Sequence, residues 1–177
     1  DPSEWCTLAL LPSYLERSGS SLVAMADHFI RLSRHPESGF FLHNLDRLSE
    51  VLKQCQSKGY KTLLLGVSFA LLDFAEHFPM NLSGVTIMET GGMKGTRKEM
   101  LKPELHLHLK EGFGVSHIHS EYGMTELLSQ AWSTGHGRYR CPPWMSVRLR
   151  DVNDPFARAG AGRTGGIDVI DLCNIAS

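Results

Sequence analysis

Hydrophobic residues follow two alternating patterns from residue 7 to about residue 133 of this chain. Short continuous apolar runs predict buried strands, and apolar residues spaced three or four apart predict amphipathic helices. The predicted strands lie in residues 7–11, 40–42 and 61–68, and two more, each with the turn that follows it, lie in 84–92 and 114–123. Because helical segments separate these runs, we expect an α/β fold with a mostly parallel sheet and helices on both faces.

Two of the predicted helices have recognisable start and stop signals. Ser20 or Ser21 can cap a helix that ends just before Pro36, because the residue before a proline resists helical geometry. Asn44 can cap the next helix, and Gly59 fits the position after its last turn.

Two further helices are less regular in sequence. Residues 69–78 have a helical pattern that Pro79 ends. The segment TRKE at residues 96–99 matches a capping box and predicts a helix start there. Pro103 then falls inside the predicted helix, so we expect a kink or two short helices before Gly112.

The last part of the chain has a different pattern. Residues 144–154 and 165–172 alternate apolar and polar side chains with no helix between them, which predicts antiparallel strands. We therefore divide the chain into an α/β subdomain at 1–140 and the start of a β-rich subdomain at 141–177. The chain begins without methionine and stops in a strand-like stretch, so we expect it to be a segment of a larger protein, with both subdomains incomplete.

Charge, hydropathy and cysteine usage exclude several classes of protein. A formal net charge of −1 gives no general attraction to nucleic acid or anionic membranes. Apolar runs stay well short of the roughly 20 residues that a membrane-spanning helix needs. The four cysteines are far apart and lack a C-x-x-C pair, which argues against a disulfide framework and favours a reducing, cytoplasmic location.

Polar chemistry is concentrated where two of the predicted strands end. The segments ETGGMKG at 89–95 and SEYGMTE at 120–126 follow buried strands, and ligands of open parallel sheets bind at such carboxyl ends. Glycines admit close backbone approach, a tyrosine can stack on a base, and a carboxylate can hold Mg²⁺ beside phosphates. If the two strands are neighbours, the segments suit a nucleotide. Without the other segment, Tyr122 could equally be an ordinary turn tyrosine, and Glu126 could equally be a solvated glutamate at a helix start.

A metal site is a further reading of the same region. His117, His119 and Glu121 alternate, so on a strand they share one face and could bind zinc. We expect them instead to be ordinary buried or surface side chains. His106 and His108 lie on a predicted helix, where residues two apart do not face each other, and are not expected to form a site.

The two polar segments together resemble the signatures of a known superfamily. SEYGMTELLSQ at 120–130 is similar to the Y-G-x-T-E signature of adenylate-forming enzymes, which include acyl- and aryl-CoA ligases, luciferases and peptide-synthetase adenylation domains. ETGGMKG lies where those enzymes carry a glycine-containing adenine loop. The wording is most similar to the acyl-protein synthetase branch, which includes the fatty-acid-activating component of bacterial luminescence and relatives of phenylacetate–CoA ligase.

The resemblance implies a set of nucleotide contacts. Tyr122 would stack on the adenine of ATP, and Gly91 and Gly92 would line the base with backbone. Gly123 would keep the turn open for the acyl-adenylate.

The resemblance also implies a reaction. Thr125 would contact the α-phosphate, and Glu126 would bind the Mg²⁺ that bridges the ATP phosphates. The substrate is a carboxylic acid, expected to be fatty or aryl, that attacks the α-phosphate and gives acyl-AMP and pyrophosphate. The acyl group then passes to a thiol on a protein cysteine or on coenzyme A.

Some parts of the family's pattern are missing from the sequence. Its phosphate loop would precede Asp1, and its ribose-binding aspartate and C-terminal lysine would follow Ser177, so we expect the segment alone to be inactive. An acyl- or aryl-CoA ligase is an alternative that these residues do not separate from an acyl-protein synthetase. A catalytically silent homologue that binds a nucleotide or a partner is an alternative from another class.

Overall fold

The computed structural model of the protein describes residues 1–12, 20–91 and 100–174. The chain forms two compact units, Asp1–Ser120 and Glu121–Ser177. Of the helices that the structure describes, none combines the length and hydropathy needed to cross a bilayer.

The first unit is a parallel sheet flanked by helices. A single 3₁₀ turn at Pro2–Glu4 is followed by β1 (Trp5–Leu10), α1 (Ser21–Ser33), β2 (Gly39–Phe41), α2 (Leu45–Ser57), β3 (Lys61–Val67), α3 (Ser68–His77), β4 (Val85–Thr90), α4 (Lys102–Phe113) and β5 (His119–Tyr122), whose last two residues belong to the second unit. The strand order is β2-β1-β3-β4-β5, and each described pair is parallel. The predicted α/β class with a mostly parallel sheet is confirmed.

The predicted helix caps are present. The Ser20 hydroxyl accepts a hydrogen bond from the Val23 amide at 3.4 Å, and the Asn44 side chain accepts one from the Arg47 amide at 2.9 Å. Each side chain satisfies one of the amides that a helix leaves unpaired in its first turn. Gly59 follows the end of α2, as predicted.

Pro103 does not kink α4, so the first of the two predicted alternatives is wrong, and a separate short helix from residue 96 would fall outside the described residues. The helix is continuous over Lys102–Phe113 and contains Gly112, and Pro103 lies in its first turn. A proline is tolerated there because the amide that it lacks would have no intrahelical partner in any case. The capping box at 96–99 lies outside the described residues, and Gly114 ends the helix with φ +59.

The strand predicted from residue 114 begins later than expected. Residues 114–118 are not a strand, because the Val115 amide still bonds to the Lys110 carbonyl at the end of α4. Strand β5 starts at His119. The polar residues that we expected after the strand are therefore partly within it.

The core is built from β1, β3 and β4 and from the three later helices. Its largest fully buried side chains are Leu8, Leu10, Leu11, Leu48, Leu52, Leu64, Leu65, Leu71, Leu72, Phe74, Leu82 and Phe113. Cys55 lies in this core, with its Sγ 3.6 Å from Sγ of Cys6. Burial, with the neighbouring Cys55, raises the pKa of Cys6 to about 12, so this thiol is an unreactive part of the packing.

The second unit contains two antiparallel strand pairs. Strands β6 (Ala131–Ser133) and β7 (Tyr139–Arg140) form one pair. Strands β8 (Met145–Arg150) and β9 (Gly166–Asp171) form the other, in a register that runs from Met145 opposite Asp171 to Arg150 opposite Gly166. The predicted antiparallel strands are confirmed.

The Asn44 cap gives a direct test of the helix assignment. We expect Asn44→Ala to lower the free energy of unfolding by about 1 kcal/mol, because one α2 amide loses its acceptor. Asn44→Ser should stay within a few tenths of a kcal/mol of the wild type. Urea unfolding followed by circular dichroism measures both, and equal values for the two variants would contradict the cap.

Candidate functional site

The end of strand β4 carries the first polar segment. Gly91 follows the strand with φ +71, a conformation that glycine adopts without strain. The hydroxyl of Ser68, the first residue of α3, lies 3.3 Å from the Gly91 carbonyl oxygen. Strand β4 pairs in parallel with β5, with Glu89 opposite Ser120, so the two strands are neighbours. Gly92 lies outside the described residues.

A fully buried carboxylate lies just before this exit. The Ser68 hydroxyl donates to Oε2 of Glu89 at 2.9 Å, and Lys102 Nζ donates to Oε1 at 2.7 Å. His106 Nε2 is 3.3 Å from the same Oε1, and the Ser120 hydroxyl is 3.2 Å from that ring nitrogen. Burial of an unpaired charge is strongly unfavourable, and the donors in this cluster offset that cost for Glu89.

The surrounding donors keep Glu89 ionised. Burial alone raises the pKa of the Glu89 carboxyl, but hydrogen bonds from His106, Lys102 and Ser120 outweigh it and lower the pKa to about 2. Lys102 and His106 are four residues apart on α4 and so lie on one face of that helix. This spacing lets both side chains reach one carboxylate.

Spacing along the sequence does not predict this cluster. His106 and His108 are two apart on a helix, whereas the partners of His106 lie on β4 and β5. The available signal is a glutamate near the end of a buried strand, followed by a helix with basic residues four apart.

The cluster does not have the geometry of a hydrolase triad. Ser120 and Glu89 both approach the same nitrogen, Nε2, of His106. A Ser-His-acid triad instead uses the two ring nitrogens for different partners. Ser120 is also buried, so its hydroxyl is not presented to a substrate.

The second polar segment begins at the end of β5, in the second unit. Tyr122 is half-buried, and its ring centroid lies 6.0 Å from that of Tyr139 at an interplanar angle of 67°. The Tyr122 hydroxyl donates to Met124 Sδ at 3.3 Å. A Cβ built on Gly123 would lie 2.5 Å from Oε1 of Glu121, so a larger residue would displace that side chain. Tyr122 is thus held in a defined orientation beside an exposed glycine.

Thr125 and Glu126 lie in an exposed turn. The Leu127 amide closes the turn on the Met124 carbonyl at 3.1 Å. Asn174 Nδ2 donates to the Glu126 carbonyl at 2.6 Å. The backbone of Glu126 is therefore anchored while its side chain faces solvent.

A second buried carboxylate, which the sequence pattern also does not predict, anchors the next residues. Asp171 accepts hydrogen bonds from the amides of Leu128, Ser129 and Cys173 at 3.0, 2.8 and 3.1 Å and from the Ser129 hydroxyl at 2.8 Å. Trp144 Nε1 donates to that hydroxyl oxygen at 2.9 Å. Burial raises the pKa of Asp171, but these hydrogen bonds outweigh it and lower the pKa below its usual range.

The alternative of a zinc-binding face does not have the geometry that it requires. His117 precedes β5, so it does not alternate along a strand with His119 and Glu121. Burial and the neighbouring His117 lower the pKa of His119. Within residues 1–12, 20–91 and 100–174, no three His, Cys, Asp or Glu side chains lie together as metal ligands.

Comparisons with known proteins extend only to the fold. No family model and no curated protein match the chain. The chain is similar to a solved structure titled "Crystal structure of CmiS6", with 14% sequence identity and a TM-score of 0.52. The match covers 94% of this chain and 40% of that chain, so this chain spans less than half the length of CmiS6. Likeness at this identity shows a common fold.

The buried Glu89 carboxylate makes stability depend on acid. Its pKa is about 2 in the folded protein against an ordinary 4.5, so its stabilisation is complete above about pH 4.5 and is lost as pH falls towards 2. We expect Glu89→Gln to lower the free energy of unfolding at pH 7 by about 2 kcal/mol and to flatten its decline between pH 4.5 and 2. Urea unfolding at several pH values measures both effects.

Glu111→Gln is the matched control, because Glu111 lies exposed on α4. It should change stability by less than about 0.5 kcal/mol and keep the wild-type pH dependence. Parallel pH profiles for wild type and Glu89→Gln would contradict the assignment.

Proposed function

We propose that this chain serves the ATP-dependent activation of a carboxylic acid to an acyl-adenylate, with transfer of the acyl group to a thiol, as in acyl-protein synthetases. The observation that carries the proposal is the Y-G-M-T-E sequence at 122–126, which begins at the carboxyl end of strand β5. Ligands of open parallel sheets bind at the carboxyl ends of their strands.

Tyr122 has the features of a base-stacking residue. It ends a strand, it is half-buried, and contact with Tyr139 holds its ring. A ring already held in place loses little conformational entropy when a base stacks on it. In the first unit, Gly91 is an exposed glycine after β4, and a bare backbone of this kind suits the role that the resemblance gives it.

Thr125 and Glu126 suit the phosphates. Their exposed hydroxyl and carboxylate are adjacent in one turn. Mg²⁺ commonly binds through one or two carboxylates together with substrate phosphates, so a single exposed glutamate fits metal that arrives with ATP. When bound, Mg²⁺ supplies positive charge that offsets the charge of the phosphates.

The proposed chemistry requires little covalent work from the protein. A carboxylate oxygen of the acid attacks the α-phosphorus while the bond to pyrophosphate breaks, and a thiolate later attacks the acyl carbon and displaces AMP. The Thr125 hydroxyl would donate to an α-phosphate oxygen, and Glu126 would hold the charge-neutralising ion. Rate acceleration then comes from positioning and electrostatics.

Acid-dependent exchange of pyrophosphate into ATP, measured on the intact protein with fatty and aryl acids, tests this proposal. We expect exchange with at least one acid, together with MgATP binding by calorimetry. MgATP binding without exchange would favour the catalytically silent homologue. Absence of both would contradict the proposed function.

Glu126→Gln separates chemistry from binding. We expect the exchange rate at saturating ATP to fall about 100-fold, because the neutral amide binds Mg²⁺ poorly in the transition state. The affinity for ATP should change by less than about threefold. Glu111→Gln is the control, and an unchanged rate in Glu126→Gln would refute the assigned role.

Tyr122→Ala tests stacking. We expect ATP affinity, measured by calorimetry, to fall about tenfold, since stacking on an aromatic ring contributes roughly 1–3 kcal/mol per base. Tyr122→Phe keeps the ring and should bind within about threefold of wild type. Equal affinities for the alanine and phenylalanine variants would show that the ring does not contact the base.

A further inference from the structure

We propose that Asp171 is a positioning residue that fixes the turn carrying Thr125 and Glu126 in the shape needed for MgATP. This inference rests on the proposed function, since it assigns the residue that supports the same site. All the residues involved belong to the second unit.

The turn needs such support because it has no regular structure of its own. Residues 123–130 are neither helix nor strand, so hydrogen bonds of a sheet or helix do not fix their backbone. The chain nevertheless presents Thr125 and Glu126 to solvent. A site that acts by positioning requires a fixed backbone beneath its exposed side chains.

Asp171, at the end of β9, supplies this support. Its Oδ2 accepts the amides of Leu128 and Ser129, and its Oδ1 accepts the Ser129 hydroxyl and the Cys173 amide. Hydrogen bonds to an ionised acceptor are about twice as strong as neutral ones. One carboxylate thus joins the residues that follow Glu126 to the end of a strand more than 40 positions away.

Two further contacts reinforce the arrangement. Trp144 donates to the Ser129 hydroxyl, which in turn donates to Asp171, so the two bonds polarise each other in the same direction. Asn174, three residues beyond Asp171, donates to the Glu126 carbonyl. The chain on both sides of Leu127 is therefore anchored to the end of β9.

Three of the four donors to Asp171 are backbone amides, which cannot reverse direction, and the fourth is the Ser129 hydroxyl, which can. An asparagine offers one acceptor oxygen and places an NH₂ group against the remaining donors. Asp171→Asn therefore sets its NH₂ group against at least one backbone amide and loses that hydrogen bond, while it preserves size and shape. Such a change should disturb the turn without removing any group that contacts the substrate.

The experiment measures pyrophosphate exchange by the intact Asp171→Asn protein, normalised to the folded fraction from thermal melts. We expect the rate at saturating ATP to fall about 30- to 100-fold, because a shift of roughly 1 Å in catalytic groups costs about 100-fold. The KM for ATP should change by less than about threefold. Asp168→Asn is the control, since Asp168 lies on the same strand in a partly exposed pair with Arg150 and should leave exchange unchanged.

A double variant distinguishes positioning from general destabilisation. If Asp171 acts through Glu126, the Asp171→Asn and Glu126→Gln double variant should be little slower than Glu126→Gln alone. Multiplied effects of the two substitutions, or wild-type exchange in Asp171→Asn, would overturn the role while leaving the proposed function intact. Absence of exchange in the wild type would overturn both.

Trp144→Phe provides a second variant if Asp171→Asn does not fold. It keeps an aromatic ring and removes the donor to Ser129. We expect Trp144→Phe to lower the exchange rate about 3- to 10-fold. Added to Glu126→Gln, it should lower the rate little further. A wild-type rate in Trp144→Phe would count against the proposal.

Discussion

A carboxylate remains charged inside a protein only where hydrogen-bond donors surround it, and this constraint shapes both units of the chain. In the first unit, Glu89 joins β4 to α3, α4 and β5 through Ser68, Lys102 and the paired His106 and Ser120. In the second unit, Asp171 joins the end of β9 to the loop after β5. Each carboxylate lies at or near the end of its strand and fixes the segment of chain nearby.

The two clusters differ in the nature of their donors. Glu89 forms an ion pair with Lys102 and also accepts hydrogen bonds from neutral hydroxyls. Removal of the Glu89 charge therefore breaks a partly buried ion pair. Asp171 accepts hydrogen bonds from three backbone amides and one hydroxyl, so its removal leaves the backbone at Leu128, Ser129 and Cys173 without this acceptor. The first cluster therefore contributes mainly to the stability of the α/β unit. The second fixes the backbone beside an exposed turn.

Local patterns in the sequence predicted most of the fold because each predicted element carries its own signals. Asn44 caps its helix wherever that helix packs, and alternation along β8 and β9 predicts a pair with two different faces. The two errors arose from position within an element. Pro103 breaks a helix interior but suits a first turn, and residues 114–118 belong to the end of α4 and the loop after it.

The candidate site could be predicted only in part. A recognisable motif is formed within five positions by Tyr122, Gly123, Thr125 and Glu126. In the structure, Thr125 and Glu126 lie in an exposed turn. The partners of the supporting carboxylates cannot be read from the residues next to them. Asp171 meets Ser129 across 42 positions, and Glu89 meets His106 across 17, so only tertiary structure brings these partners together.

The most direct test of the account is a crystal structure of the intact protein with Mg²⁺ and a non-hydrolysable ATP analogue. The account predicts the adenine ring stacked on Tyr122, an α-phosphate oxygen within hydrogen-bond distance of Thr125, and the ion at the Glu126 carboxylate. A nucleotide bound away from Tyr122, or an ion held without Glu126, would contradict it.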